Sequence, residues 1–160
     1  MSPEINTALG IAGAVIALGL SAFGSALGTG KAAASAIGAW KKCFAQGKQA
    51  PFVLLSYVGA PITQTLYGMI LMFKMVGTAQ DPNALPGTGI ALVILGLFAG
   101  IAIGTSAFLQ GLAAAGAADS QAETGNGLAN NMSALGIVET TAIFAMVFTY
   151  LAVGNLVAAA

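Results

Sequence analysis

Four stretches of this chain, residues 8–40, 52–78, 87–118 and 128–158, hold between them only three charged side chains: Lys31, Lys74 and Glu139. Apolar runs of that length leave few options. About 20 helical residues at ~1.5 Å each cross the ~30 Å hydrocarbon core of a bilayer, and inside that core every backbone N–H and C=O must be bonded within its own segment. The chain is therefore expected to form an all-α membrane protein of four transmembrane helices. A mean hydropathy of +0.89, with 6% of residues charged, places it far from the make-up of a soluble domain.

The remaining charges exclude several functions. Five lysines balance five acidic residues and there is no arginine and no histidine, so neither a basic nucleic-acid footprint nor a histidine metal site is available. Nucleic acid is not an expected partner. Cys43 is the single cysteine, which excludes an intrachain disulfide and a cysteine metal cluster. No glycine-rich loop carries the phosphate-binding Lys-Ser/Thr pattern, so ATP chemistry is not expected in this chain and it is not an enzyme by itself. The first residues, Met1, Ser2, Pro3 and Glu4, lack the basic start of a cleaved signal, and the first apolar stretch reads as a retained membrane helix.

Polar breaks at residues 41–49, 80–83 and 119–126 separate the stretches. Residues 25–36 and 106–117 align without a gap, Ser25 over Ser106 and Gly30 over Gly111, and residues 61–68 align more weakly with 138–145. The expected fold is thus two tandem-duplicated hairpins, residues 1–80 and 81–160, related by an axis along the membrane normal. Lys41, Lys42 and Lys48 cluster in the first hairpin loop. By the positive-inside rule the hairpin loops are cytoplasmic and both termini outside, in a multi-pass protein of a cell membrane, expected to be a bacterial plasma membrane.

Glycine weakens helices and is kept in membrane spans where backbones approach closely. Gly96, Gly100 and Gly104 recur every four residues towards Gly111, and Gly24 and Gly28 do the same in the first stretch. Such a ridge suits packing within one four-helix bundle, and on its own favours that; it also suits packing between copies in a ring. Bulk is concentrated in the second and fourth stretches, so an inner glycine-rich layer and an outer bulky one are expected.

Glu139 is the one acidic residue away from chain ends and loops. It lies about twelve residues into the fourth stretch, where an ionised carboxylate costs at least ~2.5 kcal/mol. It must be protonated, paired or ion-bound, and the lysines of the spans sit near the ends, where they snorkel. A proton or a small cation is the natural partner; a neutral acid that merely joins helices is the bland alternative. Gln110, Thr63, Gln64 and Tyr67 are polar groups at similar depth. Pro61 lacks an N–H and frees a backbone carbonyl in the preceding turn. Each of these side chains alone reads equally well as an interhelical hydrogen bond worth roughly 0.6 kcal/mol.

At Pro61-Ile62-Thr63-Gln64-Thr65-Leu66-Tyr67-Gly68, at Gln110-Gly111 with the alanines that follow, and at Val138-Glu139-Thr140, the chain resembles the rotor-ring proteolipid of V-type ATPases, in its four-helix bacterial form (subunit K or c). The resemblance covers nearly the whole chain. It implies a homo-oligomeric ring in the lipid membrane that turns against a stator membrane subunit and engages central-stalk subunits. Glu139 matches the ion-carrying carboxylate, Gln110, Thr63 and Gln64 the side-chain ligands of sodium-type members, and Tyr67 the tyrosine that hydrogen-bonds the carboxylate. Ala60 matches the position that supplies a carbonyl. The chain departs from sodium-type relatives in having Ala60 before Pro61, where they can carry a larger residue, and Ile62 after it, where they can carry glycine. Ile62 also aligns with Glu139 of the other repeat, which gives one site for two hairpins.

The oxygens of Glu139, Gln110, Thr63, Gln64 and Ala60 total five, enough to replace the hydration shell of a hard cation. Two buried glutamines would want for partners in a proton site, so Na⁺ is the expected ion and H⁺ the alternative. A rival of another class is a stand-alone proton or cation transporter. A structural scaffold would leave Glu139 and Gln110 without a purpose.

Overall fold

The computed structural model describes residues 1–158; residues 159 and 160, the end of the expected second repeat, lie outside the described residues. The described chain is helical, with α1 (Pro3–Ala45), α2 (Leu54–Gly59), a 3₁₀ turn (Ala60–Ile62), α3 (Thr63–Ala79), α4 (Thr88–Thr124) and α5 (Leu128–Gly154). Among the described residues there is no strand, only an isolated bridge between Ala84 and Val157. By length and composition α1, α4 and α5 are each long and apolar enough to cross a membrane, which is the make-up of a helical membrane protein.

Local chemistry sets the helix ends. Ser2 caps α1, its Oγ accepting from the Ile5 N–H at 3.4 Å, with Pro3 and Glu4 in the first turn. Between α4 and α5 the chain turns through Gly125 and Gly127, whose φ of 70° and 94° are left-handed values that disfavour a side chain. The expected span 52–78 is helical but broken. Pro61 cannot donate to the turn before it, and residues 60–62 tighten into the 3₁₀ turn, where the Ala60 carbonyl accepts from the Thr63 N–H.

Two expected polar breaks are corrected. Residues 41–45 continue α1 and residues 119–124 continue α4, so these helices reach about 64 and 56 Å, well beyond a ~30 Å hydrocarbon core. Their projecting ends stay paired. Lys42 Nζ lies 3.1 Å from Asp119 Oδ1 and 3.6 Å from Glu123 Oε1, while Ala39, Cys43 and Ala118 are buried beneath.

α1 and α4 run side by side in the same direction, and their backbones touch. Gly13 lies against Gly96, Ala17 against Gly100, Gly24 against Gly104 and Gly28 against Gly111. The glycine ridge is therefore used inside the chain. α3 returns antiparallel along α1, with Gly68 on Ala17 and Ser21, and Ala79 beside Gly10. α5 returns along α4, joined by Ser106 Oγ to the Val138 carbonyl at 3.0 Å and by Thr88 Oγ1 to the Leu156 carbonyl at 3.2 Å. The expected split into small inner and bulky outer helices holds only in part: α1 and α4 also present Phe23 and Phe98, 64% and 67% exposed, and Phe23 lines a groove with the seam residues Gly24 and Gly104.

A methyl group at Gly24 would meet the Gly104 backbone, whereas one at Gly38 would meet nothing within 4 Å. Gly24→Ala is expected to force α1 and α4 apart at a cost of about 1–3 kcal/mol, and Gly38→Ala to leave stability unchanged or slightly raised. Thermal unfolding of the two variants in detergent checks this; equal midpoints would contradict the seam.

Candidate functional site

Two apolar clusters fill the interior. One gathers Leu71, Met75, Leu92 and Ile103, the other Leu54, Tyr57, Ala114 and Leu135. Between them three segments each bring polar side chains to the same point. The 3₁₀ turn aims the start of α3 at α4, placing Gln64 beside Gln110, and both glutamines are fully buried. From the other flank α5 delivers Glu139, which is half-buried.

A continuous string of hydrogen bonds results. Thr63 Oγ1 lies 3.0 Å from both the Ala60 carbonyl and Gln64 Oε1, and its single proton serves one of them at a time. Gln64 Nε2 donates to Gln110 Oε1 at 2.9 Å. Gln110 Nε2 in turn donates to Glu139 Oε2 and to the Leu135 carbonyl, both at 3.1 Å. The string ends at the other carboxylate oxygen, where Tyr67 Oη donates to Glu139 Oε1 at 2.6 Å, the length of a charge-assisted bond. Thr63 and Tyr67 stand one helical turn apart on α3 and share its face.

All six residues singled out from the sequence, Ala60, Thr63, Gln64, Tyr67, Gln110 and Glu139, thus meet in one knot. Glu139 has no cationic partner among the described residues, since the ion pairs there involve Lys42 alone. One expectation fails on this geometry. Two glutamines were expected to want for partners unless an ion used their oxygens, yet they satisfy one another and the carboxylate.

Three features were not found from sequence. Leu135 contributes only a backbone carbonyl, which its side-chain type does not reveal. Ser106 ties α4 to α5 one turn from Gln110, a position visible in hindsight from the spacing of four. The third is a second polar knot nearer the hairpin loops, where Tyr57 Oη donates to Gln121 Oε1 and accepts from Asn131 Nδ2, both at 3.2 Å. Gln121 falls in a stretch read as a polar break, and Asn131 near the start of the expected fourth span.

No protein-family model matches the chain, and no curated protein is significantly similar to it. The site's own chemistry is a carboxylate on a helix apolar enough to cross a membrane, two amides, a hydroxyl and the Ala60 carbonyl, with a phenol bonded to the acid.

Gln110→Leu is expected to strand the buried Gln64 amide and cost about 1–3 kcal/mol, while Tyr67→Phe removes one hydrogen bond and costs nearer 0.6–1 kcal/mol. Unfolding midpoints in detergent measure the difference. A smaller loss for Gln110→Leu than for Tyr67→Phe would contradict the central place of Gln110.

Proposed function

We propose that this chain is the membrane rotor-ring subunit of a V-type rotary ATPase and carries Na⁺ across the membrane on Glu139 while partner subunits hydrolyse or make ATP. The observation that supports it is the knot itself. Five groups that each carry an oxygen, Ala60, Thr63, Gln64, Gln110 and Glu139, are joined in series by hydrogen bonds of 2.9–3.1 Å, two of them donated by amide nitrogens, and hard cations are bound by clustered oxygens. A resting structural contact between helices would not need an acid at that depth, because an apolar residue packs there without desolvation cost.

On this reading the helical run from Leu54 to Ala79, about 40 Å long, is the fourth span, and α1 with α2–α3 and α4 with α5 are the two duplicated hairpins. The parallel seam of α1 and α4 fits that repeat. The hairpin loops, with Lys41, Lys42 and Lys48, face the cytoplasm and the stalk. Copies form a ring that turns against a stator membrane subunit, and Tyr67 holds the carboxylate when no ion is bound.

One feature of the geometry favours H⁺ instead. The amides of Gln64 and Gln110 are already paired, so a proton-carrying Glu139 would leave neither unsatisfied.

A hydrophobic carbodiimide separates the two, since it reacts with the protonated acid. Labelling is expected at Glu139 rather than at Asp119 or Glu123, with protection by millimolar Na⁺ at a pH where the acid otherwise reacts. Labelling that follows pH and ignores Na⁺ would replace sodium by the proton; labelling confined to Asp119 and Glu123 would remove Glu139 as carrier. Glu139→Gln is expected to leave assembly intact and abolish ATP-driven ion uptake by reconstituted vesicles, because the amide cannot alternate between charged and ion-bound forms. Persistent uptake would refute the carrier role.

A further inference from the structure

The lysines of this chain crowd towards one end. Lys41, Lys42 and Lys48 lie at the first hairpin loop and Lys31 in the half of α1 nearest it, so Lys74 alone stands towards the opposite end, on α3. Its neighbours Phe73 and Met75 are apolar, and Lys74 itself is half-buried. A charge there is costly unless the long side chain carries its ammonium towards water. Among the described residues no carboxylate lies within ion-pair distance of it, because the ion pairs there belong to Lys42. Its Nζ instead stands 5.4 Å from the centre of the Tyr150 ring, a cation held over an aromatic face.

The same Nζ lies 3.9 Å from where a side chain at Gly154, the last residue of α5, would begin, so the ammonium points to the end of both helices. There it lines a groove of about 340 Å³ together with Phe73, Gly77, Asp81 and Gly154. Asp81 is the acid of that groove. Its Oδ1 accepts from the Asn83 N–H at 2.8 Å, which ties the carboxylate to its own turn rather than to Lys74. One groove thus holds a cation and an anion kept apart. Gly77 leaves the space open, since nothing lies within 4 Å of where its side chain would begin. From the groove an apolar strip runs back along α3: Phe73, Ile70 and Leu66 recur at spacings of three and four, share one face, and are 62%, 40% and 50% exposed.

We propose that this groove binds a phospholipid of the phosphatidylethanolamine class, its phosphate on Lys74, its ammonium on Asp81 and an acyl chain along Phe73, Ile70 and Leu66. The paired charges select the headgroup. An anionic lipid would answer Lys74 but bring its negative charge against Asp81, whereas an ethanolamine headgroup carries a cation a short linker away from its phosphate and satisfies both. A choline headgroup has the charge without an N–H to donate to the carboxylate. Tyr150, 42% exposed, suits the same boundary, because tyrosine sits where headgroups meet hydrocarbon. The site follows from the membrane character of the chain and is independent of the ion carried at Glu139.

The test incubates the full chain in mild detergent with equimolar palmitoyl-oleoyl phosphatidylethanolamine and phosphatidylglycerol and reads the lipid retained per chain by native mass spectrometry. The unaltered chain is expected to retain the ethanolamine lipid over the glycerol lipid by about fivefold, the effect of one exposed ion pair. Asp81→Asn is expected to remove that preference while lipid is still retained. Lys74→Met is expected to lower retention of both lipids, and so is Gly77→Phe, which fills the groove from a position with no neighbours. Lys31→Met, on α1, is expected to match the unaltered chain. Equal retention of the ethanolamine lipid by the unaltered chain, Lys74→Met and Gly77→Phe would overturn the site, and should Lys74→Met fail to fold, Gly77→Phe alone decides. A preference of the unaltered chain for phosphatidylglycerol would overturn the zwitterionic ligand. If Gly77→Phe breaks a multimer into single chains and leaves the lipid count unchanged, the groove holds a second copy and the proposal fails.

Discussion

Backbone contact between α1 and α4 governs the rest of the molecule. Gly24 on Gly104 and Gly28 on Gly111 hold two parallel helices at a separation that side chains would forbid. With α1 and α4 parallel, the returning segments must both run antiparallel on the flanks. α3 then crosses towards α4 and α5 approaches α4 from the other side, so Gln110 is the residue both can reach. The bonds that meet there, at 2.9 and 3.1 Å, leave little slack. A wider seam would lengthen the Gln64–Gln110 bond before it disturbed any apolar contact of α5.

α5 is positioned in an unusual way. It buries so few side chains that apolar packing cannot fix its rotation or depth, yet hydrogen bonds attach it at several levels. Asn131 reaches Tyr57, the Leu135 carbonyl and Glu139 receive Gln110, and the Val138 carbonyl receives Ser106. Residues 131, 135 and 139 are spaced by four and lie on one face, so the two polar knots pin the same side of the helix. In a medium without water such bonds have no solvent competitor, although each contributes only about 0.6 kcal/mol net. Rotation and depth of α5 are both set by polar groups here.

Much of this was legible because lipid imposes simple rules. The near-absence of charge from four stretches gave the helical class, and one acid away from the ends gave the centre of the site. Spacing alone put Thr63 and Tyr67 on one face of a helix, and Pro61 marked the turn that brings the Ala60 carbonyl to the Thr63 hydroxyl. Helix ends were less legible: charge was read as loop at Lys42, Asp119 and Glu123, but paired helices continue into water when their charges face one another. Leu135 escaped notice because a carbonyl has no letter in the sequence. The mutual satisfaction of Gln64 and Gln110 escaped because it depends on three helices meeting, which no local pattern states.

That pairing bears on how such a knot can hold a carboxylate both empty and loaded. In the observed arrangement Gln110 turns its N–H groups to Glu139 and Leu135 and its oxygen to Gln64, so donors face the acid. A primary amide has nearly the same shape when rotated by half a turn, with oxygen and nitrogen exchanged. Rotating Gln110 and Gln64 together would turn their oxygens inward, break the amide bonds to Glu139 and present the oxygen ligands a cation requires. On the proposed reading the two glutamines therefore act as a matched pair. With donors inward Gln110 stabilises the bare carboxylate while Gln64 holds the Gln110 oxygen, and with oxygens inward they complete the shell of an ion that neutralises it. The isostery of the amide removes any steric cost of the rotation, while the rotated Gln110 faces the Leu135 carbonyl and Glu139 with its oxygen and so requires a cation between them. Aspartate, glutamate or lysine at position 64 or 110 would lack that isostery, since none of them presents donor and acceptor in interchangeable positions.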